Sequence, residues 1–489
     1  MSFNFAAKNS KSALFASSLL VVYVLMLLVI SPPSGPLVDS AYYADIAQNL
    51  LHSGSFSANF ESTVAPPVFP YVLAGFMAVF GTAWEKAFSV ISAVLLMTSF
   101  YLLAREFFES KKSLFLTGLF AFIPIIFYLS MELLSDGIFV TFTLLALKFY
   151  LKTIKDKQTN VLNVALLSLF SILAILTRTV GLLLPAIFGL HFAISRLMSK
   201  ELFKIDSKAI TLAVFIVICL ASFATWSVLV KSQGNQDASS AYLDKITNAP
   251  REGQISFSVS DFTKGQVSLN APISFNLKVP IFIAYLFRLI AFLLIFISPV
   301  LVIVCLWYLL KLKTFNQQEI LLLIFTLVIC AFHVFWPLAF SSRYIAPVAA
   351  PILILSALAL DKVKNTKIIT LAVIAFLLIS SAVIFVDVNY RWKDAKNASA
   401  LFTQSAPYIT QTVPLNAKVF VSGLAQSSAS YYFKRQAQIL NENNPQAANN
   451  ILVSNYENVK EPTLPTNIIK CREFTQGKYT LKFYSTTCK

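Results

Sequence analysis

Long apolar runs recur along the chain, near residues 12–30, 84–104, 113–130, 137–151, 161–177, 179–195, 209–230, 280–310, 319–336, 344–360 and 368–386. A helix needs about 20 apolar residues to cross ~30 Å of hydrocarbon. The runs therefore predict an all-α polytopic membrane protein with about eleven transmembrane helices. Lys and Arg gather at every second connection: Lys8/Lys11, Arg105/Lys111/Lys112, Lys152/Lys155/Lys157, Arg196/Lys200/Lys204/Lys208, Lys311/Lys313 and Lys362/Lys364/Lys367. The alternate connections carry only scattered basic residues, among them Lys86, Arg178 and Arg343. Basic loops stay cytoplasmic, so the N-terminus is expected inside and the C-terminus outside. The first run, about nineteen residues, exceeds a usual signal-peptide core, and Ser31-Pro32-Pro33 offers no small-residue cleavage pattern. It reads as an uncleaved first helix.

Three segments on the expected outer side are too long to be mere turns: loops 31–83 and 231–279, and the tail 387–489. The polar tail contains Lys418-Val-Phe-Val-Ser-Gly and Lys478-Tyr-Thr-Leu-Lys-Phe-Tyr, which alternate as strands do. The expected organisation is a transmembrane domain over 1–386 and a small α/β or β-rich C-terminal domain over 387–489. No internal repeat is visible.

Composition agrees with the membrane class: 57% of the 489 residues are hydrophobic and 13% charged, with mean hydropathy +0.71. The formal net charge of +16 does not point to nucleic acid, because the basic residues flank apolar runs and form no aromatic-interleaved stripe. Cys219, Cys305 and Cys330 fall inside apolar runs as small filler, whereas Cys471 and Cys488 lie in the tail and could pair in an oxidising compartment. Asn397-Ala398-Ser399 is a formal glycosylation sequon, a tripeptide that also arises by chance. There is no metal-ligand spacing of Cys and His and no phosphate-cradling Walker loop.

Polar residues with chemical potential collect on the outer side. The first loop holds Asp39, Tyr42, Tyr43, Asp45, Glu61 and Pro66-Pro67, and residues 40–53 read as an amphipathic interfacial helix with Asp39 at its N-terminal end. Asp39 there is either a helix-capping carboxylate or a catalytic one. Glu132 and Asp136 are four residues apart in a short turn, on one face if that turn is helical. They are either solvated loop acids or a divalent-metal site and second wall of a polar cavity. Arg178 and Arg343 end apolar runs, where a guanidinium either snorkels to headgroups or binds the phosphate of a lipid. Arg288 lies within its run and should face protein. His52 and His333 read as packed or interfacial residues, and Trp336, Tyr344 and Trp392 as an aromatic belt.

The stretch Asp39-Ser-Ala-Tyr-Tyr-Ala-Asp-Ile-Ala-Gln-Asn-Leu-Leu-His-Ser-Gly-Ser-Phe, then Ala65-Pro-Pro-Val-Phe-Pro-Tyr-Val-Leu-Ala-Gly-Phe, resembles the membrane-embedded type C glycosyltransferases that use polyprenyl-phosphate sugars. That branch includes dolichyl-phosphate-mannose protein mannosyltransferases and aminoarabinose transferases of lipid A. Arg343-Tyr344 with Pro347 and Pro351 is similar to a late motif of these families. The likeness covers roughly residues 10–360. It implies that Asp39 is the catalytic base and that Glu132 or Asp136 occupies a recurrent acidic position; Arg343 and Tyr344, together with Arg178, are expected to bind the departing phosphate, and Tyr42 and Tyr43 to bind substrate. Where the aminoarabinose transferases carry Glu-Lys before the Pro-Pro pair, this chain has Val64-Ala65, which argues against that sugar and against a metal site of that design.

The implied activity is inverting transfer of a sugar from a polyprenyl-phosphate carrier to a lipid, glycan or protein hydroxyl at the outer face of a bacterial inner membrane. No soluble cofactor is implied; a divalent metal ion at Glu132 and Asp136 is the one candidate. Two other classes compete: a transporter or flippase of a lipid-linked sugar, which calls for ionisable groups at the midplane and repeated halves, and a non-catalytic envelope assembly protein.

Overall fold

The computed structural model describes residues 10–29, 39–58, 65–156, 160–200, 206–232, 252–254, 278–311, 315–335, 342–363, 366–414, 417–422, 426–440, 449–455, 462, 464 and 467–488. Glu61, Val64, Ser31-Pro32-Pro33, Trp336, the side chain of Trp392 and most of loop 231–279 lie outside them.

Helices stand at each of the apolar runs. They are α1 (Ser10–Val29), α4 (Trp84–Ala104), α5 (Ser110–Ala121), α6 (Pro124–Met131), α7 (Ser135–Lys155), α8 (Val161–Thr177), α9 (Leu183–Met198) and α10 (Ser207–Ser232). Then follow α11 (Ile281–Phe292), α12 (Pro299–Lys311), α13 (Gln317–Phe335), α14 (Ala349–Asp361) and α15 (Lys367–Thr412). The first loop adds α2 (Asp39–Ser53) and α3 (Val68–Phe80). Among the described residues, seven helices are long and apolar enough to cross a membrane, or up to nine if each of two bent pairs is one span. The chain is a multi-pass membrane protein.

Two of the expected spans are broken, and proline breaks both. Between α5 and α6 the axis bends by 70°. Pro124 donates no N–H and forces Ile123 into an extended conformation, φ −63° and ψ 125°. Between the segment Tyr285–Ile297 and α12 the bend is 113°, at Ser298 before Pro299, after a π turn over Leu293–Ile297. A broken helix in an apolar setting must satisfy the freed backbone groups internally. Ser381 Oγ of α15 donates to the Phe122 carbonyl at 2.8 Å, and Ser298 Oγ accepts from Leu301 N at 3.3 Å.

The chain divides into two compact units. The first comprises 1–29, 90–231 and 237–387; the second comprises 30–89, 232–236 and 388–489. In the second unit a five-stranded mixed sheet has the order β4-β3-β5-β7-β6, made of β3 (Val419–Ser422), β4 (Ala437–Ile439), β5 (Asn450–Ser454), β6 (Ile469–Gln476) and β7 (Tyr479–Ser485). Strand β3 pairs parallel with β4 and β5, and β7 pairs antiparallel with β5 and β6. The alternation seen at Tyr479-Thr-Leu-Lys-Phe is a strand with Tyr479, Leu481 and Phe483 inward. They pack against Ala398, Leu401, Phe402 and Ile409 of α15 and Phe433 of α16 (Gln426–Phe433). Phe420, Ile451 and Val453 cover the opposite face. A short antiparallel pair, β1 (Glu252–Gln254) and β2 (Lys278–Pro280), stands in the second loop.

Cys471 and Cys488 are joined in a disulfide with a separation of 17 residues, while Cys219, Cys305 and Cys330 are free. Alkylation of the denatured, unreduced chain should therefore label those three thiols, with all five labelled after reduction. Closing a loop of this length stabilises a domain by about 3 kcal/mol. Cys488→Ser should accordingly lower the denaturant midpoint for proteolysis within the tail while leaving the apolar helices protected.

Candidate functional site

In the first unit Arg178 and Arg343, both singled out by the sequence, meet at the Asp136 carboxylate. Asp136 lies in the first turn of α7, where the helix dipole favours a negative charge, and it is 2% exposed. Its Oδ1 is 2.6 Å from Arg178 Nη1, and its Oδ2 is 3.9 Å from Arg343 Nε. Arg178 also donates to Ser135 Oγ at 3.4 Å. Both guanidinium groups lie against the ring of Tyr344, at 4.7 Å for Arg178 and 5.5 Å for Arg343. The ring of buried His333 stacks on Tyr344 at 14°, and its Nε2–H donates to the Tyr344 carbonyl at 2.9 Å. Arg178 and Arg343 remain partly exposed. Two cations thus flank one buried anion, and partly exposed guanidinium groups of this kind suit a phosphate.

Local backbone explains how Arg178 arrives there. It terminates α8 in an extended conformation, φ −149° and ψ 134°, and the chain re-enters a 3-10 turn at Thr179–Leu182. Gly181 N–H donates to the Arg178 carbonyl at 2.8 Å. A Cβ on Gly181 would lie 2.6 Å from Ile175 N and 2.7 Å from Ile175 Cα, so only glycine lets this turn close on the end of α8.

The sequence expectation for Glu132 and Asp136 requires correction. Glu132 (φ −100°, ψ 144°) and Leu134 (φ −121°, ψ 150°) are extended, so four-residue spacing does not put the two acids on one helical face. Glu132 is half-buried at the end of α6. Asp136 is engaged by guanidinium groups, and among the described residues no group of three or more His, Cys, Asp or Glu side chains that could hold a metal ion is found. Arg288, half-buried on α11, lies 5.7 Å from the ring of Phe292.

In the second unit Asp39 opens α2 and is exposed. Tyr42 and Tyr43 are half-buried: their rings are 5.3 Å apart, Tyr43 meets Phe69 edge-on at 4.9 Å, and both pack with Ile46, Leu50, Phe56 and Ala65. These contacts anchor the helix that carries Asp39. The opposite side of α2 holds a polar group to which the sequence gave no role. Asp45 is 0% exposed and accepts from Ser430 Oγ at 3.4 Å, with Lys434 Nζ 3.8 Å away. Gln48 Nε2 donates to Tyr431 Oη at 3.1 Å, and Lys434 Nζ donates to Gln48 Oε1. Burial pushes the Tyr431 phenol up, helped by the charges of Glu85 and Asp45. Burial pulls the Lys434 ammonium down, and Asp45 opposes that shift.

Comparison with known proteins agrees with this architecture. Residues 64–226 match the family model described as dolichyl-phosphate-mannose-protein mannosyltransferase. That region includes Asp136, Arg178 and Gly181 and leaves Asp39, Arg343 and Tyr344 outside it. The solved structure of ArnT from Cupriavidus metallidurans bound to undecaprenyl phosphate superposes with a TM-score of 0.62 at 15% identity, over 96% of this chain and 97% of that one. The fold is that of the type C glycosyltransferases. The archaeal oligosaccharyltransferase AglB from Archaeoglobus fulgidus, in complex with an inhibitory peptide and a dolichol-phosphate, matches at TM-score 0.51 and 15% identity, over 90% of this chain and 69% of that one. The mycobacterial arabinofuranosyltransferase AftD matches at 0.56 and 10% identity, covering 100% of this chain and 42% of that one. A search of curated protein sequences finds no match.

The turn after α8 supplies a direct test. Gly181→Ala should cost about 1–3 kcal/mol of stability through overpacking and should weaken binding of a polyprenyl phosphate as much as Arg178→Ala does. Thermal unfolding and lipid-phosphate binding in detergent measure the two effects. Unchanged binding in Gly181→Ala would separate the turn from the placement of Arg178.

Proposed function

We propose that the chain is a membrane glycosyltransferase that moves a sugar from a polyprenyl-phosphate carrier to an acceptor hydroxyl on the outer face of the membrane. The observation that carries this reading is the pair of partly exposed guanidinium groups, Arg178 and Arg343, held around buried Asp136. The family match over 64–226 and the polyprenyl phosphates bound in the ArnT and AglB structures support a donor of that class. Alternating basic loops and the Cys471–Cys488 disulfide support an oxidising outer compartment for the tail.

In this reaction the acceptor oxygen attacks the anomeric carbon while its proton passes to the Asp39 carboxylate. The bond from that carbon to the phosphate oxygen breaks with inversion, and the lipid phosphate departs with both bonding electrons. Arg178 and Arg343 stabilise the charge that grows on the phosphate, and Tyr344 fixes the guanidinium planes. The energy of the sugar–phosphate bond drives transfer, so no nucleotide is consumed.

Asp39→Asn should reduce donor consumption by about 10²–10⁴-fold with polyprenyl-phosphate binding intact. Arg343→Ala should weaken that binding roughly 10–100-fold. Both are read with purified protein in lipid, a panel of radiolabelled polyprenyl-phosphate sugars and a cell-envelope extract as acceptor source. Turnover by Asp39→Asn equal to wild type would remove Asp39 from catalysis. Absence of turnover with every donor would favour the flippase or assembly reading.

A further inference from the structure

Helix α2 presents Ala41, Ala44, Asp45 and Gln48, spaced three and four residues apart, as one face. The first three are buried, and the two alanines leave room for α16 to approach closely. Ser430 and Tyr431 of α16, with Lys434 just beyond it, meet Asp45 and Gln48 there. A carboxylate wholly out of water is costly unless it is paired and hydrogen-bonded, so this contact is held by charge as well as packing.

Lys434 is the unusual member. Its φ is +50°, one of two positive values among the described non-glycine residues, and its N–H donates to the Ser430 carbonyl at 3.0 Å. This is the left-handed position that closes a helix, where glycine is the usual residue because it has no Cβ to strain. A lysine there carries a backbone penalty that glycine would avoid, and its ammonium reaches the Gln48 oxygen and Asp45. The neighbouring Arg435 fixes this backbone. Its guanidinium donates to the carbonyls of Val413 at 2.9 Å, Thr410 at 2.6 Å and Lys434 at 3.0 Å, tying the end of α16 to the end of α15.

We propose that Lys434 is a positioning residue. Anchored through Arg435 to the end of α15, it clamps α2 by Asp45 and Gln48 and so sets the place of Asp39 at the start of that helix. The C-terminal tail then takes part in the reaction by holding the helix that bears the base. The catalytic consequence rests on the reading of Asp39 given above; the clamp itself does not.

The test compares Lys434→Met, Lys434→Gly and Lys434→Arg in the full chain in lipid. Amide hydrogen exchange over 39–53 reads the clamp, and kcat and KM for a polyprenyl-phosphate sugar read its consequence. Lys434→Met and Lys434→Gly should each speed exchange in α2 about tenfold or more, with protection of β3, β5 and β7 unchanged. Lys434→Gly, which relieves the left-handed backbone, should keep the tail at least as resistant to heat as wild type, so a misfolded tail cannot account for the loss. In both variants kcat should fall about ten- to a hundredfold with little change in donor KM, and Lys434→Arg should restore both readouts in large part. Exchange in α2 that stays at the wild-type rate in Lys434→Met and Lys434→Gly would overturn the clamp. Faster exchange in these variants, alongside an Asp39→Asn chain that keeps full turnover, would uphold the clamp and reject the Asp39 reading instead.

Discussion

A carboxylate withdrawn from water must be paired or hydrogen-bonded, and each compact unit holds such a carboxylate beside a cation. In the first, Asp136 at 2% exposure is met by Arg178 and Arg343; in the second, Asp45 at 0% is met by Lys434. Removing one partner of a buried pair typically costs about 3–5 kcal/mol, a scale that applies to Asp136 and Arg178; Lys434 is 44% exposed, so solvent screens its pair with Asp45 and the cost there is smaller. Three surrounding features therefore serve to deliver a cation to a fixed place: the extended break at Arg178, the 3-10 turn closed by Gly181 and the left-handed residue ending α16. The packing of apolar helices is far more permissive.

The division between what periodicity reveals and what it hides follows from range. Apolar runs mark helices because a span is a local property. The breaks at Pro124 and Pro299 within runs 113–130 and 280–310 leave no mark in mean hydropathy, because both prolines sit among apolar neighbours. Tyr479-Thr-Leu-Lys-Phe-Tyr was legible as a strand because one face of it is buried. The same-face argument for Glu132 and Asp136 failed because extended residues separate them.

Pairing across the chain was the least legible. Asp136, Arg178, Arg343 and Tyr344 were each visible as outer-side residues, but nothing local shows that one carboxylate gathers both arginines. Asp45 and Ser430 are 385 positions apart, and a lysine in place of a helix-ending glycine leaves no mark in composition. His333 read as a packed residue, and it is buried; its stacking on Tyr344 depends on the turn over 342–348. The structural matches at 10–15% identity follow the same logic, since the path of the helices can persist while most side chains change.

The proline break before α6 also bears on the order in which the protein can be completed. Residues 113–130 form one apolar stretch in the sequence, and insertion responds to summed hydropathy rather than to a break within such a stretch. The hydroxyl that satisfies the Phe122 carbonyl belongs to Ser381, 259 residues further along the chain. Until that later helix has been synthesised and docked, the bent pair lacks this donor. The bend itself is set locally by Pro124, but the carbonyl it frees is satisfied only once that later helix has arrived.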